Sequence, residues 1–335
     1  MTGARRGVRF AGTGCYLPER RLTNTDLESM MDTSDEWIVQ RTGIRERRVA
    51  DPSKGESTIA MTTEAARRAI ADARLSPTDL DMIIVATMTE ETNCPANACR
   101  VADELGAGHI GAFDLNAACS GMVFSMNIAH DLIRMGGYAT ICVVGCDVLS
   151  RIVEYSTKGR ATAILFGDGA GAAVLKATDD VEKGIIAQSM HSNGAGGRDL
   201  YVPLRGRDLP KGIKWEDSDV GQVQMNGAAV FKFAVKTFPD LIEETLNKAG
   251  LRAEDVDQFV CHQSNARILK AARERFGLPE DKLYTNIDRV GNTSAASVGI
   301  CFDELRKSGR ISEGMKVMFV AFGAGLTWGS SLWQL

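Results

Sequence analysis

The sequence is poor in residues arranged to bind metals or to form disulfides. Its four histidines lie far apart, and its eight cysteines are scattered over Cys15, Cys94, Cys99, Cys119, Cys142, Cys146, Cys261 and Cys301. No Cys-x-x-Cys pair occurs, and the histidines do not cluster with cysteines at zinc-ligand spacing. A disulfide framework is typical of small secreted chains, whereas this chain has 335 residues. We therefore expect no metal site and reduced thiols.

The sequence also lacks a segment that would cross a membrane or direct secretion. No apolar run approaches the roughly 18 residues that span a bilayer. The N-terminal stretch Met-Thr-Gly-Ala-Arg-Arg-Gly-Val has no apolar core of a signal peptide. With 44% hydrophobic and 24% charged residues, the composition is typical of a globular protein with a large core. We expect a cytoplasmic protein with no membrane partner.

The chain has no overall excess of positive charge. Its net charge of −4 is not typical of a protein that binds nucleic acid. Basic residues are nevertheless spaced to share helix faces: Lys232 with Lys236, and Arg267 with Lys270 and Arg273. Each face serves either an acidic partner or only the solvent, and the spacing alone does not distinguish these uses.

The segment around Cys119 is the most informative in the chain. A mostly apolar run over 110–115 gives way to small residues and then to a helical pattern that begins near Met122. This order predicts a thiol at the first turn of a helix, where unpaired N–H groups and the helix dipole favour a thiolate. Such a cysteine is a candidate nucleophile. The alternative is a buried cysteine that acts as a small apolar residue.

The chain contains a faint internal repeat. Three pairs of segments resemble each other in the same order along the chain: 75–87 with 251–263, 110–119 with 283–292, and 140–146 with 317–323. Their offsets are similar, since 251 − 75 = 176, 283 − 110 = 173 and 317 − 140 = 177. Helical patterns alternate with short apolar strands, which indicates an α/β fold with sheets covered on both faces. We predict two similar α/β halves, residues 1–180 and residues 181–335.

The repeat also has a consequence for function. It predicts that Cys119 and Asn292 occupy equivalent helix starts, and that His262 ends a strand of the second half. Equivalent elements related by pseudo-twofold symmetry bring these ends toward one crevice. A thiol, an imidazole and a carboxamide are therefore expected to meet where α/β sheets usually bind ligands.

Several segments spread over the chain match the motifs of one known family: 32–45, 118–121, 165–174, 262–265, 291–294 and 321–329. On these segments nearly the whole chain resembles β-ketoacyl-acyl-carrier-protein synthase III, which has a thiolase-like fold. The resemblance implies a layered α-β-α-β-α arrangement of two duplicated halves. It also implies an acyltransferase that initiates fatty acid synthesis as a homodimer. Its substrates would be an acyl-CoA and malonyl-acyl-carrier-protein, with no permanently bound cofactor.

The resemblance implies a catalytic triad of Cys119, His262 and Asn292. The Cys119 thiolate would take the acyl group from a thioester and hold it covalently. An imidazole N–H and a carboxamide N–H would stabilise the enolate that malonyl decarboxylation produces. The carbanion would then attack the acyl group in a Claisen condensation, with backbone N–H groups of Cys119 and Ala324 as the oxyanion hole.

Further sites are implied by the same resemblance. The residues that would bind substrate and coenzyme A are Trp37, Arg41, Arg160, Phe231, Cys94 and Leu165. The residues that would contact acidic carrier protein are Lys232, Arg267, Lys236 and Lys270. An aromatic ring and a guanidinium suit an adenine and a phosphate, and basic side chains steer an acidic partner.

The chain departs from the family's pattern at three positions. Cys94 stands where short-chain members commonly have a phenylalanine that closes the acyl pocket across the dimer, so a deeper pocket is expected. Ala228 replaces an asparagine that often touches the pantetheine arm, and Ala324 stands in a loop that is usually all glycine. A related condensing or acyl-transfer enzyme of secondary metabolism remains the alternative. A thiolase or a non-catalytic partner subunit fits less well, because the first needs a second cysteine and the second loses the nucleophile.

Overall fold

The computed structural model describes residues 6–204 and 219–335. The absence of a signal peptide was predicted partly on residues 1–5, which lie outside this range. The strands in the described residues are β1 (Gly7–Tyr16), β2 (Arg21–Thr23), β3 (Glu46–Arg48), β4 (Met82–Ala86), β5 (Gly111–Leu115), β6 (Thr140–Asp147), β7 (Gly169–Thr178), β8 (Gly184–Ser192), β9 (Leu200–Tyr201), β10 (Gln224–Met225), β11 (Gln258–Cys261), β12 (Lys316–Gly323) and β13 (Thr327–Gln334). The helices there are α1 (Asn24–Glu28), α2 (Asp35–Thr42), α3 (Thr58–Asp72), α4 (Asn97–Leu105), α5 (Gly121–Arg134), α6 (Arg160–Ala163), α7 (Gly227–Ala249), α8 (Ala266–Arg275), α9 (Ile287–Val290) and α10 (Ala296–Lys307).

Two mixed sheets form the framework. The first has the strand order β1-β7-β6-β4-β5, and the second has the order β11-β12-β13-β8. In the first sheet β6, β4 and β5 are parallel, and β11 and β12 are parallel in the second. The first sheet uses strands before residue 180 and the second uses strands after it. This arrangement is consistent with the predicted halves, whose boundary stays a prediction.

Helices cover both sheets and also separate them. A core cluster between the sheets contains Met126 of α5, Phe302 of α10 and Phe319 of β12, all essentially inaccessible to solvent. A second cluster packs α3 and α4 on the first sheet, and a third packs α7 and α8 on the second. The layers therefore follow the predicted α-β-α-β-α order, because each sheet buries one apolar face against the central helices and the other against an outer pair.

The internal repeat is visible in hydrogen bonds as well as in sequence. Strand β12 covers the residues of β6 shifted by 176, since 140 + 176 = 316 and 147 + 176 = 323. Asp81 N donates to Thr140 O at 2.9 Å, and Asp257 N donates to Lys316 O at the same distance. The side chains of both aspartates also accept the N–H group of the first strand residue, at 2.9 Å and 2.7 Å. Corresponding residues of the two halves thus perform the same structural task.

One part of the predicted repeat is wrong. Because 283–292 resembles 110–119, where an apolar run predicts a strand, the repeat predicts a strand from Leu283 as well. Leu283 instead forms only an isolated parallel bridge with Phe259. The chain turns away at once, because Asn286 N donates to the Gln263 side chain at 3.1 Å and the short helix α9 starts at the next residue. The residues after Leu283 therefore do not extend this bridge into a strand.

Helix α10 approaches the first sheet through a glycine pair. A Cβ atom added at Gly299 would lie 2.8 Å from the carbonyl carbon of Gly171 in β7. A Cβ atom added at Gly171 would lie 2.5 Å from Ile300 N. Both contacts are with backbone, which cannot move aside as a flexible side chain does. The helix is therefore held against the sheet at a distance that only glycine permits.

We expect Gly299→Ala to destabilise the protein. Overpacking costs about 1–3 kcal/mol, which exceeds the gain of at most about 1 kcal/mol from replacing a helical glycine with alanine. Thermal unfolding should show a lower midpoint for this variant. Gly137→Ala is the control, because the nearest atom to its added Cβ lies 3.9 Å away. Equal midpoints for the two variants would contradict the packing argument.

Candidate active site

A cavity of about 450 Å³ brings the three predicted catalytic side chains together. Cys119 from the first half and His262 and Asn292 from the second all line it. The predicted substrate residues Trp37, Arg41, Leu165 and Phe231 line it too, as do Ala228 and Arg267, the latter predicted to contact the carrier protein. All three catalytic side chains are buried. The convergence expected from the repeat is therefore present in the structure.

Cys119 lies in a tight turn between a strand and a helix. Strand β5 ends at Leu115, a 3₁₀ turn spans Ala118–Ser120, and α5 begins at Gly121. Ala118 has a left-handed backbone with φ of 46°, and its N–H group is accepted by the Asn116 side chain at 3.3 Å. The thiol is thus placed at the helix start that the sequence predicts.

The protonation state of Cys119 differs from the expectation of a resting thiolate. Burial raises the pKa of the Cys119 thiol to about 12; the Ser294 hydroxyl lowers it and the carboxyl of Asp147 raises it further. The free energy lost when a thiolate is taken out of water exceeds the stabilisation that the start of a helix provides, because helix-dipole effects are usually about 0.3–1 kcal/mol. The resting nucleophile is a neutral thiol.

Asn292 is held on both sides of its backbone. Its N–H group donates to Leu165 O at 2.8 Å, and its carbonyl accepts from Gly167 N at 2.9 Å. The side-chain Oδ1 accepts the N–H group of Ser294 at 2.9 Å. Because Oδ1 is engaged in this way, Nδ2 is the atom that the carboxamide offers to the cavity, as a hydrogen-bond donor.

His262 follows β11 directly and is kept neutral. Its backbone N–H group donates to Val320 O at 2.8 Å, and its ring packs edge-on against Phe322. Nδ1 lies 2.7 Å from the Ser297 hydroxyl. Burial lowers the pKa of His262 to about 3. The imidazole therefore has one protonated and one bare nitrogen throughout the neutral pH range.

The repeat relates these residues differently from the prediction. The Asn116 side chain accepts the N–H group of Ala118, and the Asn292 side chain accepts that of Ser294. In both turns the residue that donates this N–H group has a left-handed backbone. The offset is 292 − 116 = 176, the same as for the strands. Asn292 is thus equivalent to Asn116 and not to Cys119. The nucleophile stands three residues further along its turn, which is why the sequence suggested an offset of 173.

The end of β12 lies against Cys119 at a glycine. A Cβ atom added at Gly323 would lie 2.7 Å from Cys119 N. Ala324, predicted for the oxyanion hole, lines a second cavity of about 270 Å³ beside Ala118. Ala324 is not among the residues with positive φ, so the change from glycine introduces no backbone strain there. Its carbonyl accepts the Thr327 hydroxyl at 3.0 Å.

The mouth of the cavity has an aromatic ring covered by cations. The guanidinium carbons of Arg41 and Arg160 lie 4.6 Å and 4.8 Å from the centre of the Trp37 ring. The guanidinium of Arg267 lies 4.9 Å from the ring of Phe231. These pairs present flat faces and positive charge side by side, which suits a nucleotide.

The remaining predicted residues lie near the mouth or away from it. Lys232 and Lys236 are on α7, and Lys270 on α8 lies 3.7 Å from Glu274. Cys94 is exposed and lines neither cavity of its own subunit. The structure therefore brings the nucleotide-type residues together with the triad, and leaves Cys94 outside.

Four residues that the sequence did not single out belong to the site: Ser294, Ser297, Gly323 and Asp147. Asp147 is fully buried and accepts from Thr87, Met88 and Thr89. Burial raises the pKa of Asp147 to about 6. At an offset of 176 residues, Asp147 corresponds to Gly323 and Ala118 corresponds to Ser294. An alignment of the two halves at that offset would therefore have pointed to Asp147, Gly323 and Ser294, but not to Ser297.

Within residues 6–204 and 219–335, no group of three or more His, Cys, Asp or Glu side chains is placed to hold a metal ion. No helix in the same residues is long and apolar enough to cross a membrane.

A cysteine in a strand–helix turn, facing a histidine and an asparagine between two duplicated layers, defines a condensing enzyme of thiolase-like fold. The family models described as 3-oxoacyl-[acyl-carrier-protein (ACP)] synthase III and its C-terminal part match residues 113–194 and 246–335. The chain is 48% identical over 321 residues to the beta-ketoacyl-[acyl-carrier-protein] synthase III of Caldanaerobacter subterraneus, covering 96% of each chain. The chain belongs to the β-ketoacyl-acyl-carrier-protein synthase III family and is an acyltransferase of that class.

Solved structures agree with this assignment. The synthase III of Thermus thermophilus is 40% identical, with a TM-score of 0.91 and coverage of 97% of this chain and 98% of that one. The priming β-ketosynthase of the R1128 polyketide pathway is 34% identical, with a TM-score of 0.90 and coverage of 100% and 98%. Both the fold and the order of its elements are thus shared with enzymes of this kind.

We expect alkylation of resting Cys119 to accelerate with pH without a plateau. Because its pKa is raised to about 12, the reactive thiolate fraction should grow about tenfold per pH unit between about pH 7 and about pH 10. Peptide mass spectrometry after brief iodoacetamide treatment measures the rate. Cys142, buried in the outer core, should stay unmodified and so report an intact fold. A plateau near neutral pH would show that Cys119 rests as a thiolate.

Proposed function

We propose that this enzyme transfers an acyl group from acyl-CoA to Cys119 and joins it to malonyl-acyl-carrier-protein. The products are a 3-oxoacyl-carrier-protein, carbon dioxide and free coenzyme A, and the reaction initiates fatty acid synthesis. One observation carries the proposal: a single buried cavity gathers Cys119, His262 and Asn292 and opens past an aromatic–guanidinium mouth. The curated relatives named as this synthase are similar over nearly the whole chain.

The first half-reaction is acyl transfer. The sulfur of Cys119 attacks the thioester carbonyl, the acyl–sulfur bond to coenzyme A breaks, and the Cys119 proton leaves with the coenzyme A thiolate. Gly323 lies close to Cys119 N and immediately precedes Ala324, which supports an oxyanion hole made of the backbone N–H groups of Cys119 and Ala324.

The second half-reaction is decarboxylation followed by condensation. Loss of carbon dioxide leaves an enolate on the malonyl thioester, and its oxygen needs hydrogen-bond donors. The carboxamide of Asn292 supplies one through Nδ2, and a neutral His262 supplies the other through Nε2–H. Both donate in a buried site, where water does not compete with them. The carbanion then attacks the acyl carbon, and the Cys119 sulfur is released.

The mouth supports binding of the two carriers. Trp37, Arg41 and Arg160 suit the adenine and phosphates of coenzyme A, and the apolar lining behind them suits an acyl chain and its pantetheine arm. Lys232 and Arg267 lie on the helices that border this mouth. Basic side chains in that position would guide an acidic carrier protein toward the cavity.

A homodimer is part of the proposal. Strand β5 is the last strand of the first sheet, so one of its edges has no neighbour in the described chain. Its Phe113 side chain is 36% exposed, and no residue of β5 is fully buried. A second copy pairing along this edge would satisfy the strand and cover the ring. Exposed Cys94 would then reach the partner's pocket.

A cytoplasmic location is also proposed. All eight cysteines are free thiols in the structure, although they include exposed Cys94 and Cys99. Proteins with exposed unpaired thiols are typical of reducing compartments.

A second candidate function is the priming of a secondary-metabolite pathway by the same chemistry. The similarity to the R1128 priming ketosynthase, at 34% identity over the whole chain, favours it specifically. We rank it second because a relative named beta-ketoacyl-[acyl-carrier-protein] synthase III is more similar to this chain, at 48% identity. The acceptor carrier protein that supports turnover distinguishes the two.

We expect the triad variants to separate the two half-reactions. Cys119→Ala should form no acyl-enzyme, whereas His262→Ala and Asn292→Ala should still be acylated. The latter two should decarboxylate malonyl-carrier-protein about 10²–10³-fold more slowly, the usual cost of one preorganised donor. Intact-protein mass spectrometry and release of labelled carbon dioxide measure the steps. An adduct on Cys119→Ala would disprove the nucleophile, and variants that decarboxylate normally but resist acylation would reverse the roles.

We expect Cys94→Phe to shorten the preferred acyl chain. Each buried CH₂ contributes about 0.8 kcal/mol, so a pocket left open for four methylenes would favour a medium chain by up to roughly a hundredfold. The value of kcat/KM should be compared across acetyl-, butyryl-, hexanoyl-, octanoyl- and decanoyl-CoA. Cys99→Phe is the control, because Cys99 is also exposed but was not predicted to reach the pocket. Sedimentation must show dimers for both variants. An acetyl-CoA optimum in the parent enzyme would contradict the deeper pocket.

A further inference from the structure

A hydroxyl group outside the predicted triad contacts the catalytic imidazole. Ser297, in the first turn of α10, places its Oγ 2.7 Å from Nδ1 of His262. Each of the two residues is 1% exposed. Among the described residues this is the hydrogen bond that the His262 ring makes. Whatever sets the proton of this imidazole therefore acts through Ser297.

The hydrogen bond has two possible directions, with opposite chemical consequences. A neutral imidazole carries one N–H group and one bare nitrogen. If Ser297 donates to Nδ1, the proton is on Nε2 and the cavity receives a donor. If Ser297 accepts from Nδ1–H, Nε2 is bare and the cavity receives a base. The first direction serves enolate stabilisation, and the second would serve removal of the Cys119 proton.

The surroundings of Ser297 favour donation to His262. Ser294 O, 2.9 Å from Oγ, is a second acceptor within reach of the hydroxyl hydrogen, and this carbonyl also accepts the N–H group of Ser297 at the longer distance of 3.2 Å. The N–H group of Gln263 approaches Ser297 Oγ at 3.4 Å and supplies it with a donor. The distance from Oγ to Nδ1 is the shorter of the two, at 2.7 Å, which favours Nδ1 as the acceptor of the hydroxyl hydrogen.

We propose that Ser297 is a positioning residue that holds His262 as the Nε2–H tautomer. The turn that begins at Ser294 then orients both enolate donors, since Ser294 N fixes the carboxamide of Asn292 and Ser297 Oγ fixes the imidazole. Ser297 itself does not line the cavity. The inference rests on the proposed function for its kinetic consequence, but the tautomer can be observed without any substrate.

The tautomer is tested by nitrogen NMR on the whole enzyme labelled with ¹⁵N-histidine. The chain has only four histidines, and His262→Ala assigns the signals of His262. His130 is an internal reference for the opposite tautomer, because its Nε2 accepts the N–H group of Ile185 at 3.1 Å and its Nδ1 faces Asp131. At neutral pH we expect His262 to show a bare Nδ1 and a protonated Nε2. If His262 instead shows a protonated Nδ1 and a bare Nε2, as expected for His130, the proposal is overturned.

The kinetic test compares three serine variants. Ser297→Ala should slow malonyl decarboxylation about 10- to 100-fold, between the loss of one ordinary hydrogen bond and the loss of a whole oxyanion donor. Acylation of Cys119 should change less than about threefold, within the effect of one weak hydrogen bond. Ser297→Thr keeps the hydroxyl and should recover most of the rate. Ser125→Ala is the matched control, because its buried hydroxyl has no hydrogen-bond partner in the described chain.

The outcomes separate the proposal from the function on which it rests. A Ser297→Ala enzyme that is slow in acylation but normal in decarboxylation shows His262 acting as a base, which overturns the proposal. Unchanged rates in both steps also overturn it. If the parent enzyme does not decarboxylate malonyl-carrier-protein, the proposed function fails, while the NMR pattern still decides the tautomer. Should Ser297→Ala not fold, Ser297→Cys replaces it, since its thiol is a weaker donor of similar shape.

Discussion

The close approach of two helices to the ends of the strands is the constraint on which the site depends. Helices α5 and α10 lie between the sheets, and small residues let them reach the strand ends. A Cβ atom added at Gly121 would lie 2.8 Å from the side chain of Ala86, and one added at Gly145 would lie 2.4 Å from Ala295 O. Larger residues would separate the turns that begin these helices. Since one turn carries Cys119 and the other follows Asn292, the catalytic cavity exists only while this packing holds.

Burial then decides the chemistry of the groups that the packing collects. It keeps Cys119 and His262 uncharged, and it raises the pKa of Asp147 to about 6. In the unfolded protein the His262 side chain binds a proton below about pH 6.5, whereas in the folded protein it does so only below about pH 3. The folded state therefore loses stability as the pH falls through this range. Asp147 has the opposite effect on the pH dependence of stability, because its carboxyl keeps a proton to a higher pH in the folded protein than in the unfolded one. The stability that this proton contributes is lost as the pH rises through about 6. A neutral imidazole in a buried site is a poor acid but can donate one hydrogen bond. The same desolvation that opposes a resting thiolate therefore strengthens the donors that the enolate needs.

The cavity divides its tasks between mouth and floor. The mouth combines aromatic faces with guanidinium groups, which suit the adenine and phosphates of the proposed coenzyme A substrate. The floor behind it includes the buried apolar residues Ile164 and Phe322, and in the proposal the acyl chain lies there. In the proposed dimer the partner chain supplies part of that floor. Specificity for the primer would then depend on an interface, while the chemistry depends on one subunit.

The amino-acid sequence by itself determined the α/β class, the duplicated layers and the identity of Cys119, His262 and Asn292 as candidates, because apolar periodicity and short motifs are local properties of the chain. It misplaced a strand at Leu283, since nothing local shows that Asn286 and α9 divert the chain. Its assignment of the Ala324 N–H group to the oxyanion hole stays a prediction, and it predicted a thiolate where burial leaves a thiol. Only the tertiary structure decided the course of the chain after Leu283, the protonation state of Cys119 and the role of Ser297, because desolvation and hydrogen-bond direction depend on groups that lie far apart in sequence and meet only after folding.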